Sequence, residues 1–201
     1  MGIPRLRLVA GPNGAGKSTF TEEILKKHVN LGIYINPDQI AKTLKGDELS
    51  CAMEAQLIAK QQREKLLHDG QSMTYESVMS HPSHLYFLKQ AKKANYKTYL
   101  YFIGVESSSI SKRRVQAREK SGGHGVPNEK IAPRYNRTMN QLLEACLLVD
   151  RAYIFDNSIH SYLLVAEIHY GQLTVYSDNP ADQLSWFKKY LIDKKYLIDK
   201  K

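Results

Sequence analysis

The 201-residue sequence predicts an α/β protein: a mostly parallel five-stranded sheet flanked by helices, carrying a lid and a C-terminal β-hairpin plus helix. Three observations predict it. Short apolar runs at 6–10, 33–35, 72–75, 97–105 and 152–155 alternate with stretches of helical period, which is the pattern of βαβ units. Gly11-Pro12-Asn13-Gly14-Ala15-Gly16-Lys17-Ser18 fits G-x-x-x-x-G-K-[ST] and stands between the first apolar run and the first helical stretch. After residue 160 the alternation changes to two β-like runs, 162–168 and 173–176, joined through Tyr170-Gly171-Gln172.

In chain order, the first strand (6–10) feeds the glycine loop, and 19–29 continues as a helix. A loop between strand end and helix start turns successive N–H groups into one concave space, and the helix N-terminus adds partial positive charge there. This suits a polyphosphate, so the fold is expected to be that of a phosphate-loop NTPase. Gly11, Gly14 and Gly16 let the backbone approach the phosphates, and Asn13, Ala15 and Thr19 belong to the same cradle. Lys17 reaches the β- and γ-phosphates and Ser18 offers its hydroxyl to Mg²⁺.

The second strand (33–35) ends at Asn36-Pro37-Asp38. Asp38 thus falls just past a strand end, where open parallel sheets hold ligands. The same carboxylate could instead cap the helix beginning at Gln39, and position alone favours neither. A long helix follows over 49–68, with Met53, Leu57, Ile58, Leu66 and Leu67 on its expected apolar face. The third strand (72–75) ends in Glu76-Ser77, a second carboxylate in an equivalent place. A helix from Pro82 to Ala94 and the strand 97–105 come next, then a basic helix over 107–120.

That helix places Arg114 and Arg118 on one face. Ser121-Gly122-Gly123-His124-Gly125-Val126-Pro127 is too glycine-rich for regular structure and reads as a hinged flap. The helix after it (130–149) carries Arg134 and Arg137, so closure of a lid between Lys120 and Ile131 would bring guanidinium groups toward the phosphates. The fifth strand ends at Asp156-Asn157-Ser158. Residues 1–180 are expected to form the phosphate-loop domain. Residues 181–201 form a basic helical tail in which Lys-Lys-Tyr-Leu-Ile-Asp occurs twice, at 188–193 and 194–199.

Composition narrows the setting. No apolar run approaches the length of a membrane span and no signal-peptide core is present, so the expected compartment is the cytoplasm. Cys51 and Cys146 lack metal-ligand spacing and are expected to be reduced packing residues. The net charge of +9 is compatible with nucleic acid or with phosphorylated small molecules, but six lysines crowd the last fourteen residues and make nucleic acid the less favoured partner.

The N-K-x-D guanine signature is absent from the sequence. Ser121-Gly122-Gly123-His124 and Leu147-Leu148-Val149-Asp150 resemble the signature loop and acidic strand of transporter-type ATPases, but Arg151 stands where that class needs its glutamate. The whole pattern resembles phosphate-loop small-molecule kinases, and more narrowly the zeta-toxin family, over residues 5 to 160. The resemblance rests on Gly-Pro-Asn-Gly-Ala-Gly-Lys-Ser-Thr at 11–19, Asn-Pro-Asp at 36–38, Glu-Ser at 76–77 and Arg114-Val115 with Arg118. It extends to the flap at 122–127, Arg134-Tyr135 and Asp156-Asn157-Ser158.

That resemblance implies an ATP- and Mg²⁺-dependent kinase acting on a hydroxyl, with UDP-N-acetylglucosamine the best-known acceptor, and an antitoxin protein as partner. It also implies roles. Asp38 is similar to the general base, Glu76 and Ser77 to acceptor-fixing residues, and Arg118 and Arg134 to the phosphoryl clamp. Arg114 and Asn157 are similar to residues on the adenine side. Alternative readings are a nucleic-acid-associated phosphate-loop ATPase and a polynucleotide 5′-end kinase.

Overall fold

The computed structural model describes residues 2–122, 125–159, 161–176 and 184–194. Its sheet is built from β1 (Arg5–Ala10), β2 (Ile33–Ile35), β3 (Met73–Ser77), β4 (Lys97–Gly104), β5 (Arg151–Asp156), β6 (Leu163–His169) and β7 (Gln172–Val175). The strand order is β2-β3-β1-β4-β5-β6-β7. The first five pair in parallel, and β6 and β7 add antiparallel to the β5 edge. This is the expected five-stranded parallel sheet with a hairpin appended. Tyr170 (φ 46°) and Gly171 (φ 80°) are both left-handed, as a two-residue hairpin turn requires.

Central β1 is buried from Leu6 to Ala10: Leu6, Leu8 and Ala10 line one face, while Val9 and Arg7 lie on the other, the Arg7 guanidinium over the Tyr99 ring. β1 lies between β3 and β4, with Val9 opposite Glu76 on one side and Tyr101 on the other. The glycine loop therefore opens at the middle of the sheet's carboxyl edge. Glu76 is the penultimate residue of the neighbouring strand, at the same height.

α1 (Lys17–Phe20), a π-helical turn (Thr21–Leu25) and α2 (Lys26–His28) run as one continuous helix after the loop. Phe20 anchors it, with ring centroids 4.8 Å from Phe155 and 5.4 Å from Tyr162. α3 (Pro37–Ala41) is short and capped by Asn36, whose side chain accepts from the N–H groups of Asp38 and Gln39. α4 (Glu48–His68) starts at the Asp47 cap.

Here the expected apolar face is corrected. α4 buries Cys51, Ala55, Ala59 and Leu66, whereas Met53 and Leu57 are 68% and 54% exposed. The expected face holds at Leu66 and fails at Met53 and Leu57: small residues let the helix axis lie close to its neighbours, and these two bulky ones turn outward. α5 (Ser83–Lys93) ends before Asn95, which takes the left-handed conformation (φ 58°) of a helix stop. α6 (Ser108–Lys120) is capped by Ser107, and α7 (Asn128–Leu148) accommodates Pro133 near its start.

α8 (Ser185–Phe187) and the π-helical turn Lys188–Ile192 bury Trp186, Phe187, Tyr190 and Leu191, so this part of the tail is packed against the core. Most of the second six-residue repeat, and Gly123 and His124 of the flap, lie outside the described residues. Cys51 and Cys146 are free and buried, as expected. Among the described residues no helix is long and apolar enough to cross a membrane.

Candidate active site

The carboxyl ends of the parallel strands bring the loop, Asn36-Pro37-Asp38, Glu76-Ser77 and, from the Asp156-Asn157-Ser158 turn, Asn157 into one cleft. The loop's geometry is fixed by what surrounds it. Gly11 has φ 150°, and a Cβ there would stand 2.2 Å from the Ile103 carbonyl oxygen. Gly16 is left-handed (φ 90°), and its carbonyl accepts from the Tyr162 hydroxyl at 2.8 Å. Asn157 Nδ2 donates to the Ala15 carbonyl at 2.9 Å. The end of β5 and the residue before β6 thus pin the far side of the cradle. Gly14 packs against α6, where an added Cβ would meet Arg114 Cβ at 3.1 Å.

Lys17 folds its ammonium back under the loop and donates to the carbonyls of Gly11 and Pro12, both at 2.9 Å. Desolvation drives its pKa down to about 8, against the pull of Glu76 and Asp38. A polyphosphate entering the loop would supply the missing countercharge.

Ser18 points across to β3. Its hydroxyl donates to Glu76 Oε2 at 2.7 Å, and Thr21 donates to Oε1 at 2.7 Å. Tyr34 also donates to Oε1, and Asn36 Nδ2 reaches Oε2 at 3.4 Å and the Tyr34 hydroxyl at 3.1 Å. Glu76 is 5% exposed, so four donors stand in for the water it has lost. Burial, with the Glu76 charge second, pushes the Tyr34 phenol far up, which keeps it a donor.

Glu76 therefore sits on the hydroxyl pole of the loop beside Ser18, rather than on an open acceptor wall. Ser77, also expected at the acceptor, bonds His84 Nε2 at 2.8 Å and accepts from the Met79 N–H. Burial first, then the Arg63 and His81 charges, lower the His84 pKa to about 4, so the ring is neutral near pH 7. Tyr34, Asn36, Thr21 and Tyr162 were not among the sequence's candidates. Only Asn36 carried a local signal, as the residue of a cap preceding proline.

Because Asn36 caps α3, Asp38 is released from that task. Its carboxylate is 60% exposed and stands 3.9 Å from Arg118 Nη1. The two mark the junction of two cavities. The first, about 770 Å³, is lined by the loop with Thr19, Glu76, Arg113, Arg114, Asn157 and Tyr162. The second, about 810 Å³, lies between α4, the flap residues Gly125 to Pro127, and the start of α7. Asn13, Pro37, Asp38, Gln56, Val78 and Arg118 belong to both.

In the first cavity Arg114 Nη2 donates to the Ser158 carbonyl at 3.0 Å, while its Nε and Nη1 are buried without a partner. Asn13 Oδ1 and Asn157 Oδ1 are likewise unpaired. The second cavity combines Leu49, Met53, Val126 and Pro127 with Arg134 and Lys130. Arg134 is thus brought near Arg118 but lines only the second cavity. The flap is tied down at both sides: Glu48 accepts from the Gly125 N–H and Glu119 from the Val126 N–H, each at 2.9 Å.

Asp150, in the segment that resembled a transporter-ATPase acidic strand, accepts from the Thr98 N–H at 2.8 Å at the opposite edge of the sheet. It takes no part in the cleft.

The chain aligns at 29% identity with 132 residues of an uncharacterized Haemophilus influenzae protein, covering 62% of this chain and 88% of that one. AvrRxo1-ORF1 in complex with AvrRxo1-ORF2 superposes with a TM-score of 0.71 for the sulphate-bound form, at 14% identity over 91% of this chain. The ATP form gives 0.70 at 15% identity over the same share. This chain spans 64% of the length of those AvrRxo1-ORF1 chains. A structure from the PezAT chromosomal toxin–antitoxin system of Streptococcus pneumoniae superposes with a TM-score of 0.63 at 15% identity, over 96% of this chain and 88% of that one. These likenesses establish the shared fold, and the family model described as Zeta toxin matches residues 2–164. The chain belongs to the Zeta toxin family, a family of phosphate-loop kinases.

Proposed function

We propose that the chain transfers the γ-phosphoryl group of ATP to a hydroxyl of a nucleotide sugar such as UDP-N-acetylglucosamine. The observation that carries this reading is the pair of adjoining cavities with Asp38 and Arg118 at their junction. Phosphoryl transfer needs in-line positioning of donor and acceptor and stabilisation of spreading charge, with little covalent chemistry for the protein. Two cavities meeting at a carboxylate and a guanidinium provide for both.

In this reading the polyphosphate occupies the loop. Lys17 exchanges its carbonyl partners for β- and γ-phosphate oxygens, and Asn13, Gly14, Ala15, Gly16 and Thr19 complete the cradle. Arg114 and Asn157 offer their unpaired polar atoms on the adenine side. Asp38 takes the acceptor's hydroxyl proton, while Arg118 and Arg134 draw onto the transferring group from the acceptor side.

Mg²⁺ fits the Ser18 and Glu76 pair. The site offers hard oxygen atoms only, and among the described residues no cluster of three His, Cys, Asp or Glu is poised to enclose a metal. Such a partial set suits an ion that shares its coordination with phosphates. When bound it neutralises charge on the β- and γ-oxygens. Ser18 would hold it directly, and Glu76 would orient Ser18 or a coordinated water.

An anionic acceptor is favoured by Lys130 and Arg134. Four residues apart on α7, they face the second cavity with no ion-pair partner among the described residues. A diphosphate would satisfy both, and the apolar walls from Leu49, Met53, Val126 and Pro127 suit a planar base. A structural relative from the PezAT toxin–antitoxin system, and AvrRxo1-ORF1 held with AvrRxo1-ORF2, support a neutralising protein partner for this chain as well. The experiment for the mechanism is Asp38→Asn. It is expected to lower transfer by about 10²–10⁴-fold while ATP affinity stays near that of the wild type, and retained transfer would remove Asp38 from the base role.

A further inference from the structure

Trp186 lies beyond residue 164, where the family match ends, yet it is wired to the nucleotide side of the cleft. It is 1% exposed and is the sole tryptophan of the sequence. Its indole packs against Gly104 of β4, where an added Cβ would stand 2.4 Å from the ring. Indole Nε1 donates to Asp156 Oδ1 at 2.8 Å.

Asp156, 4% exposed, has no ion-pair partner among the described residues. Its carboxylate is satisfied by Trp186 and by Ser158, whose hydroxyl reaches Oδ1 at 2.7 Å and whose N–H reaches Oδ2 at 3.0 Å. These donors share one buried acceptor, so losing one weakens the whole set. The turn it fixes has two outward grips on the cradle: the Ser158 carbonyl holds Arg114 Nη2, and Asn157 holds the Ala15 carbonyl. The links are direct hydrogen bonds, and they run from the C-terminal helix through the 156–158 turn to the phosphate loop.

We infer that Trp186 is a positioning residue: through Asp156 it sets the 156–158 turn that orients Arg114 and the loop for the nucleotide. The C-terminal helix is therefore a working part of the nucleotide site, and this inference rests on the ATP reading above.

The test uses the full chain. Trp186→Phe keeps an aromatic ring on Gly104 and removes the N–H donor. KM for ATP should rise about two- to thirtyfold, with kcat at saturating ATP near the wild-type value. Ser158→Ala, which removes the hydroxyl half of the next link without touching the indole, should shift KM the same way. In the wild type, emission from Trp186 should change saturably with ATP, with no such change in Lys17→Ala. That measurement holds even where a variant folds poorly. Unchanged KM in Trp186→Phe, a fall confined to kcat, or emission unmoved by bound ATP would each overturn the inference while leaving the kinase reading intact. Failure of the wild type to bind ATP would overturn both.

Discussion

The Ser18 hydroxyl and the Glu76 carboxylate meet at 2.7 Å across the boundary between the phosphate loop and the neighbouring strand. Their parallel register requires the meeting, since β1 and β3 run side by side with Val9 opposite Glu76 and the loop begins two residues later. Glu76 is thereby held beside the loop and lines only the first cavity, Lys130 and Arg134 line only the second, and Asp38 and Arg118 line both.

Glu76→Gln tests that placement. An amide of the same shape fills the space but cannot accept at both ends from Ser18, Thr21 and Tyr34. Transfer is expected to fall about 10- to 100-fold, with the dependence on Mg²⁺ displaced to higher concentration. Initial rates across a Mg²⁺ series check it. A raised KM for the acceptor with unchanged Mg²⁺ dependence would return Glu76 to the acceptor wall.

Lys17 gives a pH signature. Its folded pKa, about 8, lies below the unchanged value of 10.5, because burial disfavours the ammonium. The native state sheds this proton before the unfolded chain does, so this group's contribution to stability increases with pH between those two values. ATP prefers the charged lysine. Its affinity should be flat below pH 8 and weaken above it, by at most about tenfold per pH unit, with proton uptake on binding. Calorimetry in buffers of different ionisation enthalpy measures that uptake. Lys17→Met should abolish both binding and the proton linkage.

Asn36 carries two functions on one side chain, and Asn36→Asp separates them. The Oδ1 that caps α3 is preserved, but the Nδ2 facing Glu76, Ser18 and Tyr34 becomes a second buried carboxylate oxygen. Thermal stability should fall through repulsion from Glu76, and phosphoryl transfer should fall with it. Asn36→Ala should lose about 1 kcal/mol from the cap alone. Melting curves of the two variants check the order: Asp below Ala means the charge conflict exceeds the lost cap.

These residues also mark where the sequence was legible. The loop, the five parallel strands and the hairpin follow from local chemistry: glycines that must turn, apolar runs, and a Tyr-Gly turn with two left-handed residues. Asp38 was ambiguous because Asn36 and Asp38 are both good capping residues, and a shift of two positions in the helix start decides between them. Tyr34 and Thr21 meet Glu76 across 42 and 55 residues, a distance that no local pattern encodes. On α4 the expected stripe followed bulk, through Met53 and Leu57, whereas the buried stripe follows close approach, through Cys51, Ala55 and Ala59. The exposed Met53 then became part of the second cavity.

The central claim is a transfer between the two cavities onto an anionic acceptor. Its most direct measurement follows label from γ-labelled ATP, with Mg²⁺, onto UDP-N-acetylglucosamine, related nucleotide sugars, uncharged sugars, nucleosides and a short DNA end. Label should appear on a nucleotide sugar, be lost in Asp38→Asn, and be weak or absent on uncharged acceptors and on DNA. Label on the uncharged sugar or the DNA end in preference, or release of free phosphate alone, would contradict the account.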